Sequence, residues 1–143
     1  MALVLPFRAI RPVLQYASQV AALPYDVMTR DEGKKVVEGK PLSFLHVEKS
    51  EIDVPDGTSP DDTIIYEAAK KNFGKLIEDG ILRQDDSDCY YIYRQQMGEQ
   101  IQTGIVGVMS AAEYDEGKIK KHELTRQDKE DDRTRHVAYV NAQ

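Results

Sequence analysis

Cys89-Tyr-Tyr-Ile-Tyr-Arg-Gln-Gln-Met97 and Gln100-Ile-Gln-Thr-Gly-Ile-Val-Gly-Val-Met109 decide the fold class. Both runs are dense in Tyr, Ile, Val and Thr, residue types that fit a pleated surface. Gly98-Glu99 separates them by two residues, the spacing of an antiparallel hairpin. The tyrosines of the first run predict core and cross-strand packing rather than base stacking, since no basic groove accompanies them. Gly104 and Gly107 predict a bulge or a close backbone approach.

Helical signals flank this hairpin. Ser59-Pro60, followed by Asp61 and Asp62, reads as an N-cap, a first-turn proline and an acidic first turn. Ile65, Ala68, Ala69, Phe73, Leu76 and Ile77 then form one apolar stripe, and Gly80 ends the helix. This helix reads as core packing without chemistry. Thr29-Arg-Asp-Glu32 matches a capping box and predicts a helix that closes at Gly39. Val13 to Ala22 reads as a weak helix stopped by Pro24. Leu3 to Ile10, interrupted by Pro6 and followed by Pro12, reads as an edge strand or extended arm. Leu42 to Glu48 alternates like a strand, with His46 on its more polar face. Lys49 to Asp62 reads as a loop, and Ser110 to Gly117 as a capped helical turn.

The expectation is a single α+β domain over residues 1–143. It has a small mixed or antiparallel sheet with its central hairpin at about 89–109, flanked by helices at about 30–38, 60–79 and 126–140.

Composition narrows the function classes. The net charge of -6 argues against general nucleic-acid binding. Cys89, the single cysteine, excludes an intrachain disulfide and a cysteine-based zinc site, and suggests a reducing, cytoplasmic setting. Met1 to Arg8 lacks the charged start of a signal peptide, and no run is long and apolar enough to cross a membrane. Asp85-Asp-Ser-Asp88 reads as a turn, because it lacks the central glycine and closing glutamate of a calcium loop.

Chemistry concentrates in Lys118 to His136. Asp115 to His136 holds seven Lys/Arg and seven Asp/Glu, so it is no basic patch. Thr125, with Asp128 three residues on, predicts an N-cap and a helix to about Val140. Asp131 with Arg135, and Asp132 with His136, fall at i,i+4 and predict ion pairs. His122-Glu123 lies before that cap, at a strand end or loop, where side chains often meet ligands. Glu123 is a candidate general base for a hydroxyl, and Arg133 or Arg135 a candidate clamp for phosphate or carboxylate. Arg126 stands where a zinc-binding His-Glu-x-x-His helix needs its second histidine, so no metal site is expected. Leu23-Pro-Tyr-Asp-Val27 reads as a rigid turn, in which Asp26 either caps the next element or joins Tyr25 in facing a ligand.

Pro6-Phe-Arg-Ala-Ile-Arg-Pro12, Pro24-Tyr-Asp-Val27, Ser43-Phe-Leu-His-Val47, Tyr90-Tyr-Ile-Tyr93, Gly104-Ile-Val-Gly107 and His122-Glu-Leu-Thr125 with Asp132-Arg133 keep a characteristic order. They resemble the N-terminal part of an uncharacterised prokaryotic family, the domain of unknown function ten-fifteen. Members are considerably longer, and their downstream part carries an Asp-Gly-His-His-Arg motif that gives some the label ParB-like. Together with the His-Glu step, that motif is similar to nucleotide-dependent free-serine kinases of the ParB/sulfiredoxin fold.

The resemblance implies the N-terminal part of a longer architecture. It also implies a small-molecule kinase for a free amino acid hydroxyl, or a nucleotide-binding protein, using ADP or ATP with Mg²⁺. It places the general base on Glu123. His122, Thr125, Asp132 and Arg133 would position the substrate or its phosphate, and Tyr25 and Asp26 would line the pocket. The alternative is a non-catalytic binding or regulatory domain whose charged cluster meets another chain.

Overall fold

A computed structural model describes residues 2–120 and 124–142. In chain order its elements are β1 (Val4–Leu5), β2 (Ile10–Pro12), α1 (Ala17–Val20), α2 (Arg30–Val37), α3 (Leu45–Glu48) and α4 (Thr63–Glu78). They continue as β3 (Leu82–Gln84), β4 (Tyr91–Met97), β5 (Gln100–Val106), β6 (Val108–Met109), α5 (Ala111–Asp115) and α6 (Gln127–Val140). Short 3-10 turns cover Leu14–Tyr16, Tyr25–Val27 and Ser50–Asp53. The fold is α+β, with antiparallel pairs of strands and segregated helices, as the sequence predicts. No helix among the described residues is long and apolar enough to cross a membrane.

The chain separates into two units. The first comprises Met1–Arg11 and Gln84–Leu124, the second Pro12–Arg83 and Thr125–Gln143.

In the first unit β4 and β5 form the predicted hairpin, in register from Tyr91 opposite Val106 to Met97 opposite Gln100. Gly98 takes φ +60° in the two-residue loop, a conformation that favours glycine. The pairing holds, but the predicted core packing does not. Ile92 and Ile105 face each other across the ladder and remain 79% and 76% exposed. Strand β6 pairs instead with β1 at the N-terminal arm. There Gly107 is required, since a Cβ would lie 2.7 Å from Val4 Cγ1 and 2.9 Å from the Leu5 carbonyl oxygen. Gly104 has nothing within 4 Å of its Cβ position and makes no close approach. Helix α5 is capped by Ser110, and Gly117 follows at φ +73°. The arm is also fixed by polar contacts. Arg11 grips Asp85 with two bonds of 2.8 and 2.9 Å, and the Tyr91 hydroxyl donates to the same carboxylate at 2.6 Å.

The second unit holds the apolar core. The buried face of α4 (Ala69, Phe73, Leu76) packs with Val20, Val47, Ile81, Leu82 and Val140. Each large aliphatic or aromatic side chain buried here contributes roughly 1.5–3 kcal/mol before entropy is counted. Helix α2 opens with the predicted capping box. Thr29 accepts from the Glu32 amide, and the Glu32 carboxylate accepts from the Thr29 amide at 2.7 Å. The Thr29 amide, and then its hydroxyl, donating to this carboxylate lower the Glu32 pKa. Asp26 does not cap this helix.

Several boundaries differ from expectation. Helix α4 starts at Thr63 and is capped by Asp62, whose carboxylate accepts from the Ile64 amide at 3.1 Å. Ser59 to Asp62 instead closes a preceding turn, the Asp62 amide donating to the Ser59 carbonyl. The predicted strand at Leu42–Glu48 is a helical turn, α3. Four residues with Leu45 and Val47 buried suit either period, and the local bonds to Ser43 and Phe44 select the helical one. His46 is therefore not a strand residue: its Nδ1 meets the Asp53 carboxylate at 2.9 Å. Strand β3, at Leu82–Gln84, lies between the end of α4 and the Asp85–Asp88 segment. Helix α6 begins after Arg126, without a side-chain cap from Thr125, and ends at Asn141 in the left-handed conformation.

Candidate functional site

Within the second unit a cavity of about 500 Å³ opens between the Tyr25–Val27 turn, the end of α3, the start of α4 and one face of α6. That volume lies in the range of small-molecule sites. Among the sequence-predicted site residues, Tyr25, Asp26, Asp132 and Arg133 all line it. Thr125 is exposed and does not line it. His122 and Glu123 lie outside the described residues.

Each lining group is set by its own element. Arg133 projects from α6 and lays its guanidinium over the Tyr25 ring, 4.3 Å from the centroid. An Nη2 of the same guanidinium approaches the Glu48 carbonyl at 3.5 Å, and its buried Nε has no hydrogen-bond partner among the described residues. Asp132, one residue earlier, accepts a 2.8 Å bond from the Tyr66 hydroxyl of α4. Tyr66 is buried, and its ring lies 5.5 Å from that of Tyr139. Burial first, then the bond to Asp132, pushes the Tyr66 pKa up to about 12.

Neither ion pair predicted for α6 is present among the described residues: Arg135 and His136 take tertiary partners, while Asp131 keeps an i,i+4 bond of another kind, to Gln127. His136 is buried and its Nε2–H donates to the Val47 carbonyl at 2.9 Å, so it does not pair with Asp132. Asp131 accepts from Gln127 at 2.8 Å, while Arg135 lies 3.4 Å from Asp61.

Sequence reasoning missed Glu48, Tyr66 and His136 as lining residues. Glu48 was hidden by its reading as a strand residue, and Tyr66 by the reading of α4 as core alone. His136 alone carried a signal, as a basic residue in the reactive stretch. Glu48 is half-buried at the end of α3. Desolvation raises its pKa, opposed by the charges of Arg133 and His136 and reinforced by Asp26. Burial of a carboxylate favours its neutral form in this way.

The arrangement offers a guanidinium for an anionic group and carboxylates for hydrogen-bond donors. Among the described residues no group of three or more His, Cys, Asp or Glu is placed to hold a metal ion.

Comparison with curated proteins and with solved structures found no match. Residues 4–143 match the family described as "Protein of unknown function (DUF1015)", and the chain belongs to that family.

Proposed function

We propose that the second-unit cavity binds a small anionic ligand, a nucleotide or its phosphorylated product. In the intact protein this supports nucleotide-dependent phosphorylation of a small hydroxyl compound such as a free amino acid. The observation that carries the reading is the convergence of Tyr25, Asp26, Asp132 and Arg133, from two distant segments, on one cavity. Arg133 is the phosphate or carboxylate contact, held by the Tyr25 ring. Phosphoryl transfer depends mainly on positioning and charge stabilisation, which such a cluster provides. Glu123, on the strength of the resemblance alone, is the proposed general base, with His122 beside it in the sequence as a substrate contact.

Thermal-shift titration with Mg-ADP, Mg-ATP and free amino acids tests binding, since a ligand of the native state raises its stability. Turnover is tested with Glu123→Gln, which should abolish nucleotide-dependent phosphorylation. Unchanged turnover removes Glu123 from the mechanism. Binding without turnover in the intact protein supports the non-catalytic alternative instead.

A further inference from the structure

Six carboxylates line the cavity: Asp26, Glu48, Glu51, Asp61, Asp128 and Asp132. Four are committed within the protein. Glu51 pairs with Lys49 at 2.8 Å, Asp61 with Arg135 at 3.4 Å, Asp128 with Arg126 at 2.8 Å, and Asp132 accepts from Tyr66 at 2.8 Å. Asp26 and Glu48 have no such bond among the described residues. Asp26 is exposed and solvated, whereas Glu48 is half-buried and partly stripped of water. A desolvated carboxylate without a hydrogen-bond donor is costly to keep ionised. Arg133 meets the carbonyl of Glu48, not its carboxylate. Asp26 adds a second negative charge to the same locality. That leaves a place for one positive donor beside the guanidinium of Arg133.

We propose that Glu48 is the recognition carboxylate of this cavity: it receives the ammonium group of a small ligand whose anionic group faces Arg133. The assignment rests on the cavity reading above and adds the ligand's second charge to it. It involves no bond-making step. A charge-assisted contact of this kind discriminates between ligands with and without the donor.

The test uses two probes with the full chain, ethyl phosphate and phosphoethanolamine, which differ chiefly in the ammonium group. The wild type should prefer phosphoethanolamine by about tenfold, the scale of one charge-assisted contact. Glu48→Gln should remove the preference while leaving ethyl phosphate bound at least as well, since it removes a neighbouring negative charge. In the wild type the preference should also fade as pH drops through the raised pKa of Glu48, and this needs no variant. Equal affinity of the wild type for the two probes overturns the proposal. So does binding of neither, or a preference that survives in Glu48→Gln. Kinase turnover is a separate readout: the preference can stand where phosphorylation fails, and the reverse.

Discussion

The guanidinium carbon of Arg133 lies 4.3 Å from the centre of the Tyr25 ring, joining α6 to a turn more than a hundred residues earlier. The ring face, not the hydroxyl, makes this contact. Cation–π contacts are worth about 0.5–1 kcal/mol when exposed and about 2 when desolvated. Arg133 is one-third exposed, so Tyr25→Ala should cost on the order of 1 kcal/mol in urea denaturation. Tyr25→Phe should stay near wild type. Equal damage from both would place the contribution in the hydroxyl and contradict the stacking account.

The Tyr66–Asp132 bond makes a pH prediction at the alkaline end. The folded-state pKa of Tyr66 is about 12 against an ordinary 10. The unfolded chain therefore loses this proton first. The contribution is complete below pH 10 and is lost as pH rises towards about 12. Denaturant midpoints should fall over that window, and Tyr66→Phe should remove this share of the fall. At neutral pH the same substitution should cost about 1 kcal/mol, because the partly exposed Asp132 recovers water when its donor is lost. A separate check is absorbance titration, in which the late ionisation of Tyr66 in the wild type should be missing from the variant.

What was legible in the sequence was local. The capping box at Thr29–Glu32 and the hairpin loop at Gly98 each lie within a few residues and formed, as did the apolar stripe of α4 apart from Ile77, which is exposed. What escaped depended on distant partners. The Leu42–Glu48 pattern was too short to separate two periods, and among the described residues no strand pairs with it to hold the extended form. The charged face of α6 looked like a solvated, ion-paired helix because i,i+4 spacing is all a sequence displays. Its actual partners, Tyr66, Val47, Asp61 and the Tyr25 ring, come from four other segments. Glu48 entered the cavity only once α3 was helical. Tyr25, Asp26, Asp132 and Arg133 stood out through a rigid turn and a family resemblance, not through any pattern that predicts a shared cavity.

His46 supplies a second pH dependence, of opposite chemical type. Its bond to Asp53 raises the pKa above 6.5, against the opposing effect of burial. Asn72 holds Asp53 in place, donating to its carboxylate at 2.8 Å. A histidine with a raised pKa stabilises the fold fully below its unfolded value. That contribution is present below about pH 6.5 and lost as pH rises through the raised folded-state value. Asp53→Asn should flatten this part of the stability profile. A wild-type profile with no decline above that pH, or an unchanged slope in Asp53→Asn, would exclude the pair as its source.

Two glycines in neighbouring positions of the first unit should respond differently to the same change. Gly107→Ala places a methyl group 2.7 Å from Val4 Cγ1 and 2.9 Å from the Leu5 carbonyl oxygen, and the latter is backbone that cannot swing aside. The pairing of β1 with β6 must open to admit it. Overpacking of this kind costs about 1–3 kcal/mol. Gly104→Ala meets nothing within 4 Å and should be neutral or slightly stabilising, since alanine loses less backbone entropy in a strand. Amide hydrogen exchange locates the effect: faster exchange across Val4–Leu5 and Val108–Met109 in Gly107→Ala, with the Tyr91–Val106 ladder unchanged in both variants. Equal effects of the two substitutions would mean that β1 does not lie against Gly107 in solution.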